Sequence, residues 1–209
     1  MKALVTGGRG GIGSAICALL EDPLVLDLPE FDVADADAWR SLEGELDAAF
    51  LNAGIGIGYP DAAELPEAEY RRIVGANLDG VVFGTRELAR RLMPNGGSIV
   101  ATASLAGLTA MPFDPAYTAT KHAVVGWVRA AAPALAARGI RLNAICPGFT
   151  DTPIVEAELR ENLEVPLIEP SFVAEAALRV LEDEETGRAW VVQPNNVVPF
   201  RFPGVPGPR

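Results

Sequence analysis

The opening stretch of the chain limits the fold more than any other. "KALV" is a short apolar run and "TGGRGGIG" a glycine-rich turn. "SAICALLE" repeats apolar residues at helical spacing, and "LVLDL" is a second apolar run ending near Asp27. Apolar runs this short and unbroken suit strands buried on both faces. Strand, glycine turn, helix and strand in this order form the βαβ unit of a doubly wound parallel sheet. The fold class expected is therefore α/β, a single Rossmann-type doubly wound parallel sheet.

The rest of the chain keeps the alternation. "DADAWRSLEGEL" predicts a helix capped by Asp35, with Trp39, Leu42 and Leu46 on one face. "AAFLNAG" and "GSIVATAS" predict strands, with a mostly helical stretch from Pro66, at its first position, to Met93 between them. Asp114 and Pro115 form an N-cap and first position for a helix running to about Arg138 and stopping at Gly139, with a bend at Pro133. "IRLNAICPG", "EPSFVAEAALRVLEDEE" and "RAWVVQ" complete the pattern as strand, helix and strand. The domain expected is 1–193. Five prolines in 194–209 predict an irregular C-terminal tail.

One connection breaks the rule. Parallel neighbours need a crossover of about a dozen residues, yet only four lie between Asp27 and Asp32. "FDV" therefore cannot be a regular parallel partner of "LVLDL". The helix after the second strand is expected to be missing, and the adjoining edge strand lost or vestigial.

Composition excludes several function classes. The formal net charge is −11 and the pI about 4.6, against a nucleic-acid or anionic-membrane partner, either of which needs clustered positive charge. Cys17 and Cys146 sit in apolar surroundings and begin no CxxC, so they are expected as buried thiols in a reducing cytoplasm. With His122 as the one histidine, no metal site is expected; His122 itself is read as a packing residue. "MKALVTGG" enters a strand directly, so no signal peptide is expected, and no apolar run reaches the length of a membrane span.

In the glycine loop, Gly11 and Gly13 let the backbone approach a pyrophosphate, and the following helix start offers N–H groups and partial positive charge. Asp27, ending the second strand, can accept from the ribose hydroxyls of NAD and repels a 2′-phosphate. Arg9 works the other way, since it can pair with a phosphate. NAD is expected as cofactor, with NADP the alternative.

Only two lysines, Lys2 and Lys121, stand against fifteen arginines. Lys121 follows Tyr117 by four residues, one helical turn on the same face. A phenol titrates near 10, and an ammonium about 4 Å away supplies on the order of 4 kcal/mol at an effective dielectric near 20. That suffices to lower the phenol into a working range for proton transfer. An ammonium is also compact, with three donors to serve a phenol and sugar hydroxyls together.

"TGGRGGIG", "LNAG", Ser104, "YTATK" and "CPGFTDT", in this order and with Ser104 thirteen residues before Tyr117, resemble the short-chain dehydrogenases/reductases across about Lys2 to Gln193. The resemblance implies that Thr6, Gly7, Gly11, Ile12 and Gly13 line the pyrophosphate loop. Asn52, Ala53 and Gly54 would finish a strand beneath the cofactor, and Asp32 and Val33 would form its adenine-side pair. Ser104 would bond the substrate oxygen, Tyr117 pass the proton, and Lys121 hold the nicotinamide ribose. Asn77 would order a proton-relay water. Pro147, Gly148 and Thr152 would flank the nicotinamide. A homodimer or homotetramer is implied as well.

The chain also departs from the family. Leu51 replaces the usual first Asn of "NNAG", the stretch from Pro153 to Pro170 is brief for a substrate lid, and "VVQPNN" lacks the usual glycine pair. The activity implied is interconversion of a secondary alcohol and a ketone by hydride transfer. A catalytically inactive nucleotide-binding protein, or a lyase or epimerase with tightly held NAD, are the alternatives.

Overall fold

The computed structural model describes residues 1–155, 160, 163 and 165–204. Among the described residues, seven strands form one sheet: β1 (Ala3–Thr6), β2 (Leu24–Leu26), β3 (Ala48–Leu51), β4 (Gly97–Thr102), β5 (Ile140–Pro147), β6 (Ala189–Gln193) and β7 (Asn196–Pro199). Their order is β2-β1-β3-β4-β5-β6-β7, parallel throughout except for the antiparallel β6–β7 pair.

Alternate side chains along each strand feed two cores, as a period of two requires. Leu4, Ala49, Leu51, Ile99, Ala101, Leu142 and Cys146 face one side, beneath α2 (Ala36–Ser41), α4 (Gly80–Glu87) and α5 (Pro115–Ala136). Val5, Phe50, Val100 and Ile145 face the other, beneath α1 (Gly11–Cys17) and α6 (Pro170–Glu182). Both faces are covered, which explains the unbroken apolar strands.

β2 is the outermost strand, and the chain passes from it through turns at 27–35 to α2 without an intervening helix or strand. A small cluster closes this corner. Trp39 is fully buried, its Nε1 donates to the Val33 carbonyl at 2.9 Å, and its ring meets Phe31 edge-on at 5.1 Å. Asp35 caps α2 as expected, but the helix ends at Ser41, so Leu42 and Leu46 lie beyond it and pack from the following loop.

α3 (Glu67–Val74) begins one residue after Pro66, which stands at the cap and not at the first helical position. α3 and α4 are joined by a π-turn, Gly75–Asp79, that carries Asn77. Such wide turns recur at functional positions. α5 starts at Pro115 under the Asp114 cap and runs through Pro133 to Ala136.

The tail expectation fails in part. Residues 196–199 form β7, paired with β6 from Gln193↔Asn196 to Trp190↔Pro199. Pro194 and Pro199 bracket this strand and leave its middle free of proline, and β7 is an edge, where a missing N–H costs least. Asn195 takes φ +58 in the intervening turn, a conformation Asn tolerates. Phe200 and Phe202 then fold back onto the core, Phe202 lying 3.6 Å beneath the Arg129 guanidinium.

Candidate active site

The loops that follow parallel strands emerge at one edge of the sheet, and at that edge the chain gathers most of its unusual residues. Thr6 ends β1, and its Oγ1 accepts from the backbone N–H of Asn52 at 2.9 Å and of Ala53 at 3.0 Å. Thr6 thus ties the end of β3 to the glycine loop.

The glycine loop is built by close approach. Gly7 holds φ +62, and a Cβ there would stand 2.8 Å from the Ala53 Cα. A Cβ on Gly13 would fall 2.0 Å from the Gly7 carbonyl oxygen, so Gly13 serves the loop's own packing. A Cβ on Gly11 would lie 2.5 Å from Thr152 Cγ2, which brings the segment after β5 over this loop. Ile12 packs against the core beneath. Gly10 gives α1 no side-chain cap, and the N–H groups of its first turn have no intrahelical acceptor. The close approaches at Gly7, Gly11 and Gly13 are therefore contacts of the chain with itself, and what the turn offers an anion is the uncapped N–H groups that start α1.

At the end of β2, Asp27 accepts from the Arg9 N–H at 2.8 Å and from the Leu28 N–H at 2.9 Å. The Arg9 guanidinium turns aside to Glu30, at 2.6 Å, and to the Leu28 carbonyl, at 3.0 Å. Asp32 caps its own turn through the Ala34 N–H, while Val33 is a buried wedge under the helical layer. Thus Asp32 and Val33 are fixed by their own turn and by the core.

The opposite side of the site is buried and polar. Tyr117 and Lys121 share one face of α5, with Lys121 Nζ 5.5 Å from the Tyr117 ring centroid. Lys121 is 3% exposed and donates to the Thr102 carbonyl at 2.8 Å. Thr102 donates through its hydroxyl to Asn52 Oδ1 at 3.1 Å. Asn77 is fully buried; its Nδ2 donates to Thr120 Oγ1 at 3.1 Å and to the Ile55 carbonyl at 3.0 Å. Gly54 lies between, where a Cβ would meet Asn77 Oδ1 at 3.1 Å and Lys121 Nζ at 3.2 Å. Ser104 accepts from the Ala106 N–H and lies close enough to Tyr117 to act on its phenol.

The electrostatics correct the expected lowered phenol. Burial pushes the Tyr117 phenol up to about 12, with hydrogen bonding from Ser104 acting the other way and the Asp114 charge adding to the rise. Burial pushes the Lys121 ammonium down to about 8. Cys146, behind both, is raised to about 12 by burial. Desolvation is the largest influence on both groups. The phenol is therefore held protonated.

Beyond β5, Gly148 donates its N–H to the Val192 carbonyl at 3.0 Å. Its neighbour Pro147 ends the strand opposite Val192. Thr152 is buried beside Gly11, and Arg160 holds its carbonyl at 2.6 Å while pairing with Asp151. Much of the stretch where a lid was sought, at 156–159, 161, 162 and 164, lies outside the described residues. His122 is exposed on α5 and faces the Thr118 carbonyl at 3.0 Å, so it is not the packing residue expected. Cys17 and Cys146 are both free thiols; Cys146 is buried and Cys17 only partly so.

Sequence reasoning missed Thr102 and Thr120, whose partners are distant in the chain, and Arg160, which holds the nearby Asp151, Thr152 and Val155. No metal-holding cluster of His, Cys, Asp or Glu occurs among the described residues, and none of their helices is long and apolar enough to cross a membrane.

A glycine-rich turn after β1 and a Tyr–Lys pair on α5, with Tyr117 half-buried and Lys121 buried, stand at the C-terminal edge of a parallel sheet, and together they define a Rossmann-type α/β protein. A family model described as enoyl-(acyl carrier protein) reductase matches residues 30–191. A 3beta-hydroxysteroid dehydrogenase of Mediterraneibacter gnavus is 38% identical over 152 residues, which span 69% of this chain and 55% of that protein. A mitochondrial borneol dehydrogenase of Lavandula x intermedia is 33% identical over 216 residues, spanning 87% of this chain and 83% of that one. The crystal structure of an NADPH-dependent 3-quinuclidinone reductase from Rhodotorula rubra superposes with a TM-score of 0.78 at 21% identity, covering 92% of this chain and 89% of that chain. The chain belongs to the short-chain dehydrogenase/reductase family.

Proposed function

We propose that the protein interconverts a secondary alcohol and a ketone, with Tyr117 as general acid and base and NAD as the preferred cofactor. The observation that carries this reading is the convergence of Ser104, Tyr117, Lys121 and Asn77 beside the glycine-rich turn. The nicotinamide, when bound, supplies the hydride acceptor or donor. Ser104 steadies the oxygen of the reacting carbon. Tyr117, protonated at neutral pH, gives its proton to a ketone oxygen, and in the reverse sense its oxygen takes the alcohol proton. Lys121 lies beneath the phenol with donors to spare for ribose hydroxyls. Asn77, joined to Thr120 next to Lys121, would order the water through which the proton leaves.

NAD is favoured because Asp27 stands at the ribose corner and the nearest cation, Arg9, is already paired with Glu30. Phe113 and Ile154, both about half exposed near this edge, give the substrate side an apolar rim. The substrate proposed is therefore an uncharged, apolar secondary alcohol, in keeping with the borneol and hydroxysteroid dehydrogenases among its relatives. We further propose a homodimer or homotetramer in a reducing cytoplasm.

The experiment is an absorbance assay of NADH and NADPH formation over a panel of cyclic and linear alcohols. NADH formation on apolar alcohols is expected. Tyr117→Phe should lower turnover by more than about a thousandfold and leave NADH affinity within about twofold. Comparable turnover in the variant refutes the role of Tyr117. Binding without turnover across the panel favours an inactive nucleotide-binding protein, and product without net NADH favours a lyase or epimerase.

A further inference from the structure

Asp114 was expected to cap α5, and it does, but a cap needs only one oxygen. Its Oδ1 accepts from the Tyr117 N–H at 2.9 Å. Its Oδ2 accepts from two N–H groups of a distant segment, Ile57 at 2.8 Å and Gly58 at 3.0 Å. Asp114 as a whole is 7% exposed, so these are shielded, charge-assisted bonds. Resting on the catalytic reading above, we propose that Asp114 is a positioning residue: it clamps the loop after β3 to the helix carrying Tyr117 and Lys121, and so fixes one wall of the substrate space.

Three observations support the clamp. Among the described residues, 53–60 make no backbone–backbone hydrogen bond outside helices and strands, so side chains must hold the loop. A second anchor lies just before it: Asn77 Oδ1 accepts from the Ile55 N–H at 2.8 Å and Asn77 Nδ2 donates to the Ile55 carbonyl at 3.0 Å. Each anchor is also tied to α5, Asp114 through the Tyr117 N–H and Asn77 through Thr120. Between the anchored residues lies Gly56, where a Cβ would stand 3.8 Å from Asp114 Oδ2 and 3.7 Å from Ile154 Cγ2. The clamped loop thus meets the apolar rim, and its placement decides how a substrate sits against the phenol.

Serine caps helices about as well as aspartate, but it has a single oxygen. Asp114→Ser therefore keeps the cap and loses the clamp, whereas Asp114→Ala loses both. Amide hydrogen exchange in Asp114→Ser is expected to rise more than about tenfold at Ile57 and Gly58 and to stay unchanged at Tyr117. Its melting temperature should stay within a few degrees of the parent, and that of Asp114→Ala should fall further. With NAD saturating, the KM for an apolar alcohol should rise about tenfold, kcat should fall less than about threefold, and NADH affinity should hold within about twofold. Unchanged exchange at Ile57 and Gly58 overturns the clamp. Faster exchange with unchanged KM and kcat overturns its role in positioning. A parent protein that oxidises no alcohol refutes the catalytic reading instead, and the exchange rates then decide the clamp alone.

Discussion

The two ends of the proposed cofactor cleft are built in opposite ways. At the adenosine end, β2 has three residues, two of them exposed, and continues into an exposed turn where Arg9 and Glu30 pair at 56% and 64% side-chain exposure. At the catalytic end, β4 and β5 pair over six residues, Gly97↔Ile140 to Thr102↔Ile145, and Lys121, Asn77 and Ser104 are each buried with partners. The outer end tolerates shortening because its groups meet water or short local contacts. The inner end does not, because each polar group there satisfies another that would be costly to leave alone. Loss of one member strands its partner.

Burial at the inner end also has a thermodynamic cost, and Lys121 carries it. The ammonium titrates at about 8 in the fold against roughly 10.4 in an unfolded chain. Between those values the unfolded state binds more protons, so this group makes stability rise with pH across that window. Below about 8 both states are charged and the cost of the buried cation is fully present. Lys121→Met should therefore stabilise the protein at pH 7, by roughly 2 kcal/mol, while turnover falls more than about a thousandfold. Thermal and denaturant unfolding at pH 7 and pH 10 measure this, and the gain should shrink at the higher pH. A variant less stable at both values would show that the amine's bond to the Thr102 carbonyl outweighs its desolvation.

How far the sequence carried the reading follows the same division. The strands of the inner end were legible because burial on both faces forces continuous apolar runs, and Tyr117 and Lys121 were legible because four residues make one turn. The short Asp27–Asp32 connection also had a direct reading, since chain length alone forbids a regular crossover. Bonds across distant segments were not legible. Asp114 looked like a cap because a cap is local; its hold on Ile57 and Gly58 depends on tertiary placement. β7 was missed because proline was counted over the whole tail, when only its spacing matters. The Tyr117 phenol was misjudged because pairwise attraction can be estimated from spacing, while desolvation depends on everything around the group.

The two ends can be compared with one substitution made twice. Val100 lies in β4 at 1% exposure, and Val25 in β2 at 38%. Val100→Ala removes packed methyls from a core that cannot collapse around the gap and should cost about 2 kcal/mol. Val25→Ala should cost about 0.5 kcal/mol, since its methyls are already partly in water. Denaturant unfolding of the two variants gives both numbers. Equal costs would mean that the β2 edge is covered in solution, and the contrast between the ends would fail.

The smallest effect belongs to Glu30. Its carboxylate is held below the usual range, chiefly by the hydrogen bond from Arg9, yet the pair is exposed and contributes little stability. Its consequence lies in charge: while Glu30 is present, Arg9 offers a 2′-phosphate no free cation, and Asp27 adds a second negative group at the same corner. Glu30→Ala frees the guanidinium and leaves Asp27 in place. NADPH affinity, measured by fluorescence titration at low salt, should improve about threefold to tenfold, with NADH affinity changing less than about twofold. The gain should fade as salt is raised, and it should vanish when Arg9→Ala is made in the same chain. If NADPH and NADH affinities shift together, Glu30 shapes the turn without selecting between cofactors, and Asp27 alone sets the preference at this end.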